Sequence, residues 1–310
     1  MKSACLGPVM ALAMLAGCGS AQTGSERIDP ALATLVPGGS VFLAGARMDA
    51  LRATPFYRKW VANRPSAPLD DLARETGLDV RKDLWEVLVI SDGKRTAVLA
   101  RGKFSADGAE PRLDRPGVER TPYKGYTLSG NDQGAVAFMN ASVAVAGSLD
   151  AVHWIIDERG RSSGPPPALS DKVKQIPAGN QIWLVSAGGA GELQKNVPQS
   201  GNLANIGKVL SMLDGVTAAA DLRNGLTAFA SGVCRNEQDA KSLGDAVRGL
   251  VALGRLSAPQ DQPDLLRVFD GIQVDQQQRA VRVNAALSPA LLDTLMGRFT
   301  SAESPRSRRR

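Results

Sequence analysis

The side chains that most often carry chemistry are scarce in this chain of 310 residues. It has one histidine, His153. That residue stands among Val152, Trp154, Ile155 and Ile156, where it reads as the edge of a helix's packed face. Zinc sites of the common kinds need several His or Cys ligands, and His153 with Cys5, Cys18 and Cys234 does not supply such a set. A Ser-His-Asp triad would have to use His153, and there is no G-x-S-x-G turn to present a nucleophile.

Other spacings are formal matches in the wrong context. Ser91-Asp92-Gly93-Lys94 fits S-x-x-K, but that signature needs serine and lysine one helical turn apart, whereas these four residues read as a hairpin turn with no K-T-G strand after it. Gly188-Gly189-Ala190-Gly191 has Gln194 where a dinucleotide loop needs its third glycine. Gly201 to Lys208 has Val209 where a phosphate loop needs Ser or Thr for magnesium. Asp70, Asp71, Glu75, Asp79 and Asp83 are interleaved with Arg74, Arg81 and Lys82, which reads as a charge-balanced surface without the oxygen spacing of a calcium loop. No cofactor or metal is expected. If anything is bound specifically, the aromatic side chains Tyr57, Tyr123 and Tyr126, taken as exposed beside a charged loop, are the first candidates.

The N-terminus carries the most specific signal. Lys2 supplies a positive charge, Leu6 to Gly17 a short apolar run, and Leu15-Ala16-Gly17-Cys18 follows. The run is too short for a permanent span and reads as an export signal. Leu15-Ala16-Gly17-Cys18 resembles the lipobox of bacterial lipoproteins. The resemblance implies removal of residues 1–17 and lipidation of Cys18. With Gly19 where an inner-membrane retention signal would place Asp, it also implies outer-membrane sorting, facing the periplasm or the cell surface. The rival reading of the residues is a secretory signal cut near Ala21. Once Cys5 is removed and Cys18 carries lipid, Cys234 has no disulfide partner and is expected to be buried at a strand end.

Composition agrees with a globular exported protein. The chain is 43% hydrophobic and 22% charged, with 5% aromatic residues, enough to bury a core from small residues but unlike a base-stacking surface. The net charge of +6 comes partly from Arg306, Arg308, Arg309 and Arg310. Such a tail suits anionic lipid or wall polymer better than nucleic acid, which an exported protein rarely meets.

The elements fall into two related runs. Trp85 to Phe104 reads as a hairpin turning at Asp92-Gly93, and Val216 to Cys234 repeats it around Asn224-Gly225. Val36-Pro37-Gly38-Gly39 before the strand Val41–Ala44 is matched by Ile176-Pro177-Ala178-Gly179 before Gln181–Val185. Tyr123–Leu128, read as one strand, is matched by Phe269–Val274. Thr54-Pro55 opens a helix, Gly77 closes another, and Ser148 starts a third that buries Val152, Ile155 and Ile156. Leu203–Leu213 is expected to be helical. So is Asp239 to Leu253, with Leu243, Ala246, Val247, Leu250 and Val251 on one inward stripe. Thr76-Gly77-Leu78-Asp79-Val80-Arg81-Lys82-Asp83-Leu84 resembles a step found in uncharacterised exported bacterial proteins, a resemblance that implies duplicated α+β modules and says nothing about chemistry.

The expected architecture is α+β, with two tandem modules of antiparallel sheet and helices packed on one face. Residues 18–33 are a tether, 34–160 module 1, 161–173 a Ser/Gly/Pro linker, 174–300 module 2 and 301–310 a basic tail. The expected role is a membrane-anchored, non-catalytic binding or scaffold component, with other envelope proteins or anionic polymers as partners. The alternatives are an envelope enzyme relying on carboxylates and an assembly partner in an envelope complex.

Overall fold

The computed structural model describes residues 27–62, 64–104, 113, 117–188, 212–259 and 262–302. The helices are α1 (Pro30–Ala33), α2 (Met48–Arg52), α3 (Pro55–Trp60), α4 (Ala67–Thr76), α5 (Val80–Asp83), α6 (Leu149–Glu158), α7 (Pro167–Lys174), α8 (Glu237–Ser257), α9 (Pro263–Asp270) and α10 (Pro289–Ala302). The strands are β1 (Phe42–Arg47), β2 (Leu84–Ser91), β3 (Thr96–Gly102), β4 (Glu119–Tyr123), β5 (Tyr126–Asn131), β6 (Gly134–Asn140), β7 (Val143–Gly147), β8 (Ile182–Ala187), β9 (Leu213–Asp221), β10 (Leu226–Cys234), β11 (Ile272–Gln277) and β12 (Ala280–Leu287).

All twelve strands join one sheet in the order β11-β12-β10-β9-β8-β1-β2-β3-β7-β6-β5-β4, and every ladder is antiparallel. The fold is α+β. The modules meet edge to edge where β1 pairs with β8, with Gly45 opposite Trp183. Outward from this seam both run alike: a strand, a hairpin, then a returning strand beside the hairpin and a helix after it. Module 1 is longer, because Tyr123–Leu128 is broken by a turn with Lys124 and Gly125 at φ 47° and 86°. That stretch ends β4 and begins β5. Its counterpart Phe269–Val274 instead ends the helix α9 and begins an edge strand.

The local marks in the sequence are used as physics requires. Thr54 caps α3 by accepting from the Tyr57 N–H at 3.1 Å, Ser148 caps α6 by accepting from Ala151, and Gly77 closes α4 at φ 77°. Cys234 is fully buried at the end of β10, and burial raises its thiol pKa.

Residues opposite each other across a ladder share a face. Val145, Leu99, Leu88, Gly45, Trp183 and Ala219 form one row on the first face. That face carries the main core, covered by Leu32 of α1, Val152 and Ile155 of α6, and Leu169 and Val173 of α7. The proline-rich linker therefore ends in a packed helix. The tether ends early too, since Ile28 and Leu32 are buried in this core. These helices match the expected one-face packing, and α8 departs from it. Its Ala240, Leu243 and Val247 pack on Val216, Val274 and Val281 of the second face, so module 2 builds its own core there. The inward stripe predicted for α8 is only partly right. Ala246 and Leu250 are exposed, because the helix touches the sheet along Ala240, Leu243 and Val247, a narrower line than its apolar surface.

The N-terminal strap from Arg27 to Val36 is held by Glu86 on β2, whose carboxylate accepts from the Asp29 N–H at 3.1 and 3.3 Å. Arg101 closes the clasp on Asp29 at 3.3 Å. Burial pushes Glu86 up from 4.5 to about 7, against the opposing pull of the Asp29 N–H and Arg47. A carboxyl whose folded pKa is raised stabilises the fold most below its unfolded value. That contribution is lost as pH rises through about 7. The expected result is a melting temperature that falls from pH 5 to 8, with a stability difference of at most about 3 kcal/mol. Glu86→Gln should flatten that dependence, and an unchanged slope in the variant would assign it elsewhere.

Candidate functional site

The second face is open over the seam. A cavity of about 390 Å³ lies along β2, β1, β8, β9 and β10. Nine of its lining residues share that face by register: Ala44 and Ala46, Val87 and Val89, Ile182 and Leu184, Ala218 and Ala220, and Ala228. Their spacing explains the shape. Alternate residues of β1 and β9 on this face are alanines, which leave a trough between the taller Val87, Val89, Ile182 and Leu184. Ile182 remains 40% exposed. Five strands about 4.8 Å apart make the trough roughly 19 Å across. No charged side chain lines it.

One side of the trough is set by α8. On the flank toward the sheet edge, Arg255 pairs with Asp270 of α9 at 3.0 Å, Gly254 lies under Phe269, and Gly244 faces Gln276 of β11. The opposite flank, turned toward the centre of the sheet, carries Ala246, Leu250 and Leu253. Leu250 and Leu253 are 67% and 61% exposed. Among the described residues, exposed large apolar side chains are few, and Ile182 in the trough is one of them.

The residues singled out by chemistry do not converge. His153 lies on α6 with its ring stacked on Tyr123 at 3.9 Å, and the Tyr123 hydroxyl donates to Asp157 at 2.9 Å, which Lys124 also grips at 2.6 Å. The Lys124 ammonium holds the Asp157 carboxyl below its usual range, so this cluster is a satisfied surface clasp. Tyr126 stacks under Arg159. Tyr57 is buried, contrary to its reading as exposed, because the α3 cap turns it inward to donate to the Arg81 carbonyl at 2.9 Å. The Ser91 hydroxyl donates to the Arg95 carbonyl within the hairpin turn. Arg81 bridges Asp70 at 2.7 Å and Asp79 at 3.0 Å, neutralising the acidic run. Among the described residues no three His, Cys, Asp or Glu side chains gather as metal ligands, and no helix is long and apolar enough to cross a membrane. Cys18, Gly189–Gly191 and Gly201–Lys208 lie outside the described residues, as does most of the expected helix Leu203–Leu213. Leu213 itself begins β9.

No family model matches the sequence, and no curated protein matches it. The chain is similar to solved structures of TP0453. Crystal form I is 12% identical, with 88% of this chain and 97% of that one covered and a TM-score of 0.47. Crystal form III is also 12% identical, covering 88% and 98%, with a TM-score of 0.49.

Sequence reading missed the trough, although one signal was present. The pairs Ala44/Ala46, Ala218/Ala220 and Ala228/Ala230 are small residues at strand period, on the face opposite to the one that holds the core. Choosing between the faces needs the register across the seam, which a single chain does not display.

Proposed function

We propose that this chain is a lipid-anchored component of the bacterial cell envelope, held through Cys18, that binds an elongated apolar ligand of acyl-chain type in the seam trough. The observation that supports this best is the trough: an open cavity of about 390 Å³ lined by apolar residues without a charged group, with Ile182 exposed in it. Burial of such a surface gives affinity without chemistry, since apolar area contributes about 25 cal/mol per Å². A binding role also suits a chain whose carboxylates are held apart by arginines and whose one histidine is stacked on tyrosine.

The test is titration of the unlipidated chain from residue 18, as Cys18→Ala, with a fluorescent long-chain fatty acid. Saturable binding is expected. Ile182→Asp should weaken it roughly ten-fold or more by setting a charge in the trough, while circular dichroism remains that of the parent. An absence of saturable binding, or unchanged affinity in the folded variant, rejects the reading. Intact mass and membrane fractionation of the exported protein against Cys18→Ala test the anchor independently.

A further inference from the structure

We propose that the end of the sheet carrying α2 and α3 is a docking surface for an anionic bilayer, seated there by the short lead from Cys18. This rests on the lipid-anchor reading for the approach to the membrane, and its charge is a separate matter. Arg27 stands nine positions after Cys18, a lead that even fully extended reaches only about 30 Å. The surface around Arg27 must therefore stay near the bilayer.

The position of Arg27 is fixed. Its guanidinium donates to the Ile176 carbonyl at 2.7 Å and the Asn180 carbonyl at 3.4 Å, at the turn entering β8. It lies close enough to Arg47, which leads into α2, for that charge to lower its pKa, after burial as the larger cause. The same end holds Gln181, whose side chain accepts from the Leu222 N–H at 2.7 Å. Leu222 packs with Leu51, Tyr57 and Leu292, tying the β9–β10 turn to α2, α3 and α10.

This end is basic. Residues 47–64 contain five Lys or Arg and one acid, Asp49. Arg58 and Lys59 are exposed on α3, and Arg64 follows it. The acids facing the patch from other elements are Asp293 of α10, paired with Lys59 at 2.7 Å, Asp221 of β9, paired with Arg223, and the buried Glu86 of β2, opposite Arg47. With Arg27 and Arg223 included, seven cations face four carboxylates. Trp60 stands at the centre of the patch, with Arg64 4.7 Å and Lys59 5.3 Å from its ring centroid and its indole N–H donating to Asp293 at 2.7 Å. An amphipathic indole among cations suits the headgroup layer. A single acyl attachment binds weakly, and a basic surface supplies the second signal that makes anchoring stable.

The test separates this surface from the anchor by removing the lipid. The Cys18→Ala chain from residue 18 is measured against phosphatidylcholine vesicles with and without phosphatidylglycerol, at low and high salt. Binding that needs the anionic lipid and fades with salt is expected. The triple variant Arg58→Gln, Lys59→Gln, Arg64→Gln should lose on the order of 100-fold in affinity, at about five-fold per basic residue near the surface. Arg58 and Lys59 are exposed, Arg64 is half-buried, and a surface ion pair such as Lys59–Asp293 is weak, so the variant should keep its circular dichroism and melting temperature. A control with Arg306, Arg308, Arg309 and Arg310 changed to Gln should keep most of the binding. No anionic-lipid binding by the parent, equal binding by the triple variant, or loss only in the tail control would each overturn the assignment. None of these outcomes depends on whether Cys18 is lipidated in the cell.

Discussion

Trp183→Ala should be among the most damaging single substitutions in this chain, costing about 3–5 kcal/mol in denaturant unfolding. Trp183 is 2% exposed on the first face, directly across the seam from Gly45. A Cβ built on Gly45 would fall 2.6 Å from the Trp183 indole nitrogen, so the ring lies flat on the glycine where any side chain would stand. The pair joins the modules: β1 and β8 are their first strands, and the indole fills the space above both. Gly45→Ala should therefore cost about 1–3 kcal/mol by overpacking. In a Trp183→Leu background the same change should cost less than about 1 kcal/mol, since the clashing ring is gone. Equal costs of Gly45→Ala in the two backgrounds would show that the ring is not the obstacle. Trp183→Phe isolates another effect. The indole N–H is buried without a hydrogen-bond partner, a state that costs about 1–3 kcal/mol for a buried donor, so phenylalanine should recover much of the volume it gives up.

This pair also marks where the sequence stopped being informative. Both hairpins were legible because turn residues and alternating apolar arms are local. Asp92-Gly93 and Asn224-Gly225 turn β2 into β3 and β9 into β10, and Ser148 and Thr54 cap the helices they were expected to cap. The pairing of β1 with β8 is decided by contacts between residues about 138 positions apart. Nothing near Gly45 announces that an indole will cover it. Tyr123–Leu128 shows the same limit at shorter range: Lys124 at positive φ is a turn that its residue type does not advertise. The α8 stripe failed for a different reason. Periodicity reports which residues are apolar, and the sheet covers only part of that surface, leaving Leu250 and Leu253 exposed. Cavities lined by alanine are hard to read in general, because alanine is equally at home in a tight core and on an open face.

The other large effect is expected at the strap. Leu32→Ala should destabilise the fold by about 2–5 kcal/mol, as for other fully buried leucines, although residues 18–33 read as a polar tether. Leu32 is 0% exposed and shares its core with Ile28, Leu35 and Val36. The turn that presents it is stabilised locally, since Asp29 accepts from the Ala31 N–H at 2.8 Å and Pro30 occupies the first helical position. The sequence masks the role because only four apolar anchors are spread over nine residues, without strand or long-helix periodicity. A chain beginning at Pro37 would lose all four and uncover Leu88 and Leu99 beneath them. It should bind a hydrophobic dye and yield to protease under conditions in which the chain beginning at Cys18 resists both. A truncated chain that melts at the same temperature as the longer one would mean that the first face is complete without the strap. In the expected case the segment ahead of the first strand is also part of the core. A pull on the N-terminal end of the chain then acts on the Glu86 clasp before it reaches the sheet.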